Sequence, residues 1–470
     1  MIEKNQVITA ITQGLGSNGE GVIRHEGVTF FVPACLPGEK VRFKVLKIKG
    51  NVGYGKVEEV LTPAEERARE KCPVFMRCGG CSLQHMEYPA QLEFKQNLVK
   101  DTLRKIGGVE TDVLPTVKSD LPYGYRNKLQ LPIGVDKDGN SVVGFYAERS
   151  HRIVPISSCA IHPVWAEKVI AAVRMFMREC NVKGYDEETR TGLLRHIVAR
   201  EVGGKFIFTL VATSRHIPAV SCFVELLCAE FSEFSLYVNV NDKDTNVIFG
   251  EEFHLIHGTG VFQAKEHGVV YEAGPVTFLQ VNANVRSKLY AAALKSVTGD
   301  GDEVVIDAYS GGGLLTAMVA KNCKRAYGIE LEEEAVRCAN ALKANNGLSN
   351  MTNICGYVEE HLAEVMRKEQ GETLRLILDP PRAGIHRSVL NAIIESGIEK
   401  VTIISCNPAT LARDLGVLTG TLAEKDGELV KTQTADGAYV IESVQPYDMF
   451  PQTKHIESLV CLVRRPTKAI

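Results

Sequence analysis

Glu303-Val304-Val305-Ile306-Asp307-Ala308-Tyr309-Ser310-Gly311-Gly312-Gly313-Leu314-Leu315-Thr316-Ala317-Met318-Val319-Ala320 reads as a buried strand, a glycine turn and a helix. A strand that ends in Asp307 and turns through three glycines lets a ligand approach the backbone closely. The next strand-like run, Arg325-Ala326-Tyr327-Gly328-Ile329-Glu330, ends in a carboxylate placed where ribose hydroxyls are received in α/β nucleotide sites. Dinucleotide binding favours G-x-G-x-x-G, whereas consecutive glycines after Asp307 are closer to S-adenosylmethionine enzymes. A helix from Leu331 to Asn346, closed by Gly347, completes the unit.

Toward the carboxyl terminus, Leu376-Ile377-Leu378-Asp379-Pro380-Pro381-Arg382 and Val401-Thr402-Ile403-Ile404-Ser405-Cys406-Asn407-Pro408 are two more strands of the same kind. A free cysteine is ordinarily a small buried hydrophobe. At the carboxyl end of a parallel strand, beside a strand that ends in Asp-Pro-Pro, Cys406 stands where open α/β sheets bind ligands and becomes a candidate nucleophile.

Toward the amino terminus the character changes. Residues 1–62 alternate apolar and polar positions between glycine turns, as in a small β-barrel. Within it Lys40, Arg42 and Lys44 alternate with Val41, Phe43 and Val45, which puts three cations on one face; both a phosphate-binding face and a solvated strand edge fit that pattern. Residues 63–71 read as a charged linker. Cys72, Cys78 and Cys81 then form a C-x5-C-x2-C run whose glycines, Gly79 and Gly80, let the backbone wrap a bound centre. Cys159 is the best candidate for a fourth thiolate on an iron-sulfur cluster, and zinc completed by His85 or His162 is the competing reading. The pattern from about 91 to 107 is an amphipathic helix ending at Gly107-Gly108, and a mixed α/β middle follows, with a helix around Trp165 to Arg178.

Composition bounds the whole. The 470 residues are enough for roughly two to four domains. Net charge is -3, so any attraction to nucleic acid comes from local basic surfaces. The amino terminus lacks the order of a signal peptide and no apolar run approaches a membrane span, which predicts a cytoplasmic protein with no membrane association. Thirteen cysteines, an odd number mostly scattered, argue for a reducing compartment rather than a disulfide framework.

Taken together, these motifs resemble the RNA uracil-5 methyltransferases that carry an amino-terminal TRAM barrel and a [4Fe-4S] cluster, of the 23S rRNA uracil-5-methyltransferase type. The likeness covers nearly the whole chain and rests on the cysteines, Phe278-Leu279-Gln280-Val281-Asn282, Asp307 to Gly313, Glu330, Asp379 to Arg382, Ser405 to Pro408 and Phe450 to Glu457. It implies a class I S-adenosylmethionine-dependent methyltransferase domain, Rossmann-like, over residues 274–470, a TRAM barrel over 1–62 and a central α/β iron-sulfur domain over 63–273. It assigns the cluster to Cys72, Cys78, Cys81 and Cys159, cofactor contacts to Gln280, Tyr309, Gly311, Gly313, Glu330 and Asp379, the nucleophile to Cys406 and the proton-abstracting base to Glu457. Glu442 lacks the preceding Thr-x-His and is the weaker base. Where family members often place Asn or Thr after the glycine turn, this chain has Leu314, so only its backbone could serve there.

The implied reaction explains the residue types. C5 of uracil becomes nucleophilic when a thiolate adds to C6; the methyl group then arrives from the sulfonium, and a base removes the C5 proton. The expected substrate is RNA, with an unpaired loop of 23S rRNA favoured over tRNA because barrel and cluster together typify the ribosomal enzymes, and no obligate protein partner is expected. A non-catalytic RNA-binding or assembly factor is the rival class. A radical methylthiotransferase would show C-x3-C-x2-C, and an amino-methyltransferase would carry an aromatic residue where Arg382 stands.

Overall fold

The alternating strands at the amino terminus form one six-stranded sheet in the computed structural model, which describes residues 2–432 and 435–466. They are β1 (Val7–Ile11), β2 (Gly14–Leu15), β3 (Gly21–His25), β4 (Val28–Val32), β5 (Lys40–Lys49) and β6 (Val52–Thr62), in the order β1-β5-β6-β4-β3-β2. Val41, Phe43 and Val45 are fully buried, with Phe43 packed on Phe30 at a ring separation of 5.2 Å, while Lys40 and Arg42 on the alternate face are exposed and Lys44 is half-buried. The alternation is the period of a strand with one wet face. Register sets Lys44 opposite Val7 and Lys40 opposite Ile11, and Arg42 is paired with Glu59 of β6 at 2.6 Å.

The stretch read as a linker is clamped to this barrel. Arg67 donates from Nε to the buried Glu39 carboxylate at 2.5 Å and from Nη2 to the Ala34 carbonyl at 2.8 Å, and Glu39 also accepts from the backbone of Leu36 and Ala64. A carboxylate with no exposure needs such partners, and it recruits the nearest cation to supply them.

The chain divides into two compact units that interleave along the sequence: Met1–Gln91, Leu121–Val261 and Phe450–Lys454 form the first, and Leu92–Asp120, Phe262–Met449 and His455–Ile470 the second. Helix α1 (Tyr88–Thr102) continues as a π-turn over Leu103–Gly107 and stops at Gly108 in the left-handed region, so the expected helix to 107 is α-helical only in its first four turns. The first unit also holds β7 (Lys128–Val135), β8 (Ser141–Tyr146), β9 (Ile153–Pro155), α2 (Trp165–Glu179), β10 (Leu194–Val202), β11 (Lys205–Ala212), α3 (Val220–Cys228), β12 (Phe234–Val240) and β13 (Glu252–His257). These seven strands form a second sheet in the order β13-β12-β11-β10-β7-β8-β9, antiparallel except for β11 and β12, which α3 connects. The apolar stripe of α2, including Val169, Ile170, Val173 and Phe176, joins the core of this sheet.

The second unit begins with the hairpin β14 (Phe262–Glu266) and β15 (Val269–Ala273), then α4 (Ala283–Val297). Strands and helices alternate thereafter: β16 (Val304–Ala308), α5 (Leu314–Ala320), β17 (Arg325–Glu330), α6 (Glu333–Asn345), β18 (Met351–Cys355), α7 (Val358–Lys368), β19 (Leu374–Leu378), α8 (Arg387–Ser396), β20 (Lys400–Ser405) and α9 (Pro408–Thr419). The short hairpin β21 (Leu422–Lys425) and β22 (Glu428–Lys431) and the long pair β23 (Tyr439–Tyr447) and β24 (Glu457–Arg464) close it. The hairpin β14–β15 is held in this unit by Asn346, whose side chain exchanges two hydrogen bonds with the backbone of Val270.

Sheet order is β18-β17-β16-β19-β20-β24-β23, with five parallel strands followed by an antiparallel pair. Strands buried on both faces read as near-continuous apolar runs, which is why β16, β19 and β20 were legible. Lys95 of α1 and Asp448, both without exposure, pair at 2.5 Å. Among the described residues, no helix is long and apolar enough to cross a membrane.

Candidate active site

Parallel strands deliver their carboxyl ends to one edge of a sheet. Asp307 in β16, Glu330 closing β17, Asp379 after β19 and Cys406 after β20 therefore share one edge, and β24, running the other way, brings its first residue, Glu457, to the same edge. The order of strands reverses between β16 and β19, the switch point at which α/β sheets open a crevice.

Cys406 is half-buried and followed by Asn407, whose side chain caps α9 by accepting from Ala409 at 3.1 Å, with Pro408 at the first helical position. Asn407 also donates to the Arg382 carbonyl at 2.9 Å, and Thr410 to the same carbonyl at 3.4 Å, which fixes the Asp-Pro-Pro-Arg loop beside the thiol. Burial pushes the Cys406 thiol up, the Glu457 and Asp379 carboxylates push it further, and the Arg382 guanidinium, by charge and hydrogen bond, pulls it down. Glu457 is buried and pushed up to about 8 by its burial and by Asp379, against the pull of Arg382. Asp379 is pushed up to about 7 by desolvation. A thiol, two carboxyls raised toward neutrality and one cation thus act on one another at this edge. Glu442, by contrast, is exposed on a bulge of β23.

The cofactor edge is built from backbone. Glu330 accepts from the Gly311 N–H at 2.9 Å and from the Glu332 N–H at 3.0 Å, and each oxygen keeps a lone pair for a hydroxyl. A side chain at Gly311 or Gly312 would enter open space, so the turn presents bare backbone to a ligand. Gly313 has φ 76° and a Cβ there would fall 2.6 Å from Ala339 Cβ, so only glycine closes the turn against α6. Tyr309 also sits in the left-handed region, at φ 66°, half-buried beside the core. Asp307 accepts from Thr316 at 2.6 Å and is pushed up to about 7 by burial. Gln280 is half-buried in the irregular approach to α4, two residues before its cap Asn282. Leu314 is half-buried at the first position of α5.

Two residues in this site were not foreseen. Arg382 touches the thiol, and its signal was a cation directly after Asp-Pro-Pro. Tyr290 of α4 has its hydroxyl pushed up by burial and by the charge of Asp379, with Arg286 opposing. In sequence it is one apolar-looking position of a helix and carries no signal.

In the first unit, Cys72, Cys78, Cys81 and Cys159 line a single small cavity with Gln84 and Arg126. Cys78 Sγ accepts from the Gly80 N–H at 3.4 Å, and the Gln84 side chain accepts from the Cys72 N–H at 3.2 Å. Burial, with the neighbouring thiols adding to it, pushes Cys81 up to about 12 and Cys159 up to about 11, the condition that a bound cation relieves. Among the described residues, no three His, Cys, Asp or Glu side chains are drawn together at metal-binding distance. His162 spends Nε2 on the Lys128 carbonyl at 3.0 Å, and neither it nor His85 lines the cavity, so the donor set there is all thiol.

The tRNA (Uracil-5-)-methyltransferase family matches residues 227–465, and the TRAM domain matches residues 3–57. The chain is 36% identical over 464 residues to an uncharacterized RNA methyltransferase of Listeria monocytogenes, covering 98% of each. It is 37% identical over 468 residues to one of Halalkalibacterium halodurans, again with 98% of each covered. Among solved structures it is similar to Pyrococcus abyssi tRNA (uracil-54, C5)-methyltransferase in complex with S-adenosyl-L-homocysteine, with a TM-score of 0.74 at 24% identity over 97% of this chain and 100% of that one.

Proposed function

Because the chain belongs to the tRNA (uracil-5-)-methyltransferase family and is an S-adenosylmethionine-dependent RNA (uracil-5-)-methyltransferase with a TRAM domain, we propose that it methylates C5 of a uridine in an unpaired loop of 23S rRNA through a covalent bond from Cys406 to C6. The observation that carries this reading is the half-buried Cys406 thiol on the strand edge that it shares with Asp379 and the buried Glu457 carboxyl.

Cys406, as thiolate, adds to C6 and the electrons of the C5–C6 double bond move toward O4. Asp379, held protonated up to about pH 7 by its burial, donates to the enolate oxygen. C5 then takes the methyl group from the sulfonium, releasing S-adenosylhomocysteine. Glu457 removes the C5 proton, the double bond re-forms and the thiolate leaves. Thiolate and Glu457 carboxylate repel each other. Conversion of the thiolate to a thioether removes that charge, so the base ionises more readily after addition than before, which suits the order of the steps.

Gln280, Tyr309, Gly311, Gly313, Glu330 and Asp379 are the proposed cofactor contacts. The barrel face with Lys40, Lys44 and Lys56 would meet RNA phosphates, and Phe278, 79% exposed two residues before Gln280, offers a stacking face to a base. The four thiols would hold a [4Fe-4S] cluster, whose part would be structural or redox-sensing. The pairing of that cysteine set with the barrel supports rRNA over tRNA. Incubating the protein and S-adenosylmethionine with 5-fluorouridine-substituted 23S rRNA or tRNA transcripts tests both points: fluorine blocks the final elimination, so a shifted band on a denaturing gel that requires Cys406 identifies mechanism and substrate together. No band with either RNA would refute the covalent route through Cys406 and both substrate assignments.

A further inference from the structure

A second thiol pair lies outside the catalytic centre and the four-cysteine cavity. Cys180 caps the carboxyl end of α2, its N–H donating to the Phe176 carbonyl at 3.0 Å, and Cys222 lies in the first turn of α3. The two helices meet through Phe176 and Phe223, whose ring centroids are 5.1 Å apart. Phe176 is one turn before Cys180 and Phe223 is the neighbour of Cys222, so the aromatic contact fixes both helices where the thiols emerge. Both thiols are half-buried at the rim of the central core, open enough for a small reagent. The hydrogen bond between them is the foremost reason that the Cys222 thiol is pushed up, ahead of burial and of the Cys180 and Glu225 charges.

We propose that Cys180 and Cys222 form a reversible intramolecular disulfide when the protein meets a peroxide. One thiolate attacks hydrogen peroxide, breaking the O–O bond to give a sulfenic acid and, with a proton, water. The second thiol attacks that sulfur, the S–S bond forms and a second water leaves. Two thiols lose two electrons and two protons to one peroxide, and a dithiol reductant reverses the change. The bond ties the end of α2 to the start of α3 on the face of the central sheet that both helices cover, and closes a loop of about forty residues.

The test treats the full-length protein with hydrogen peroxide, blocks the remaining thiols with iodoacetamide and maps tryptic peptides by mass spectrometry. The expected result is a Cys180–Cys222 linked peptide, lighter than its two parts by two hydrogens, lost on adding dithiothreitol and absent from Cys180→Ser and from Cys222→Ser. Recovery of both cysteines alkylated, over-oxidised one by one, or paired with other cysteines would overturn the proposal. Mapping by peptide separates this pair from the thiols at 72, 78, 81 and 159.

Discussion

Replacing Arg382 with methionine tests the electrostatic reading of the nucleophile. The change removes the guanidinium that pulls the Cys406 thiol down, and it leaves the Arg382 carbonyl free to keep its bonds from Asn407 and Thr410. A hydrogen bond to a charged group contributes about 1.5–3 kcal/mol. Arg382 is exposed, so solvent screening discounts its contribution to about 1–1.5 kcal/mol. At about 1.4 kcal/mol per factor of ten, this amounts to about a tenfold smaller thiolate fraction at neutral pH. The assay is the rate of covalent band formation with 5-fluorouridine RNA at saturating S-adenosylmethionine, followed from pH 6.5 to 10. The rising limb of the profile should move toward alkali, with the gap of about tenfold narrowing at the top of the range. A loss of rate that is the same at every pH, or no loss, would refute the assignment of Arg382 to the thiolate.

Further outcomes follow from the same geometry. Glu457→Gln should lower turnover by about 10²–10⁴ and, with ordinary uridine RNA, leave the methylated adduct visible on a denaturing gel, because the base is missing after addition. Glu457 and Asp379 have folded pKa values above their ordinary ones, so the native state binds more protons than the unfolded chain as pH rises from the usual carboxylate range to about 8 and about 7, and stability falls through that window. The thermal midpoint of Glu457→Gln should therefore gain on the parent between pH 6 and 8.5, and a constant difference would contradict the burial argument. Replacing Lys40 and Lys44 with alanine should weaken RNA binding and flatten its logarithmic salt slope by about 1.4, whereas Arg42→Ala, already neutralised by Glu59, should change the slope less. Chemical analysis of anaerobically purified protein should find iron and acid-labile sulfide in near-equal amounts, both lost in Cys81→Ser, and zinc without sulfide would replace the cluster by a zinc site.

What could be read from sequence follows the strength of local constraint. Strands β16, β19 and β20 are buried on both faces and advertise themselves as apolar runs, and α9 is announced by Asn407 and Pro408. Cys406, Asp379 and Glu330 were visible because each ends such a strand, and strand ends are positions that topology brings together. Glu457 was reached only through family likeness, since its arrival at that edge depends on an antiparallel strand whose direction no local pattern records. Arg382 and Tyr290 act through side-chain reach, which spacing does not encode. The role of Arg67 was hidden for another reason: residues 63–71 have the composition of a linker, and the buried Glu39 that captures Arg67 is 28 positions away.

The interleaving of the two units has a consequence for biosynthesis. Residues 450–454 belong to the first unit, where the Gln452 carbonyl accepts from the backbone of Ser82 and Leu83 and its own N–H meets the Gln91 side chain at 3.0 Å. A ribosome making this chain has released the cysteine run long before it supplies those five residues. The first unit cannot be completed during translation of its own segment; its last contacts wait until residues 450–454 have been made, and a chain interrupted before residue 450 leaves that unit unfinished together with the second.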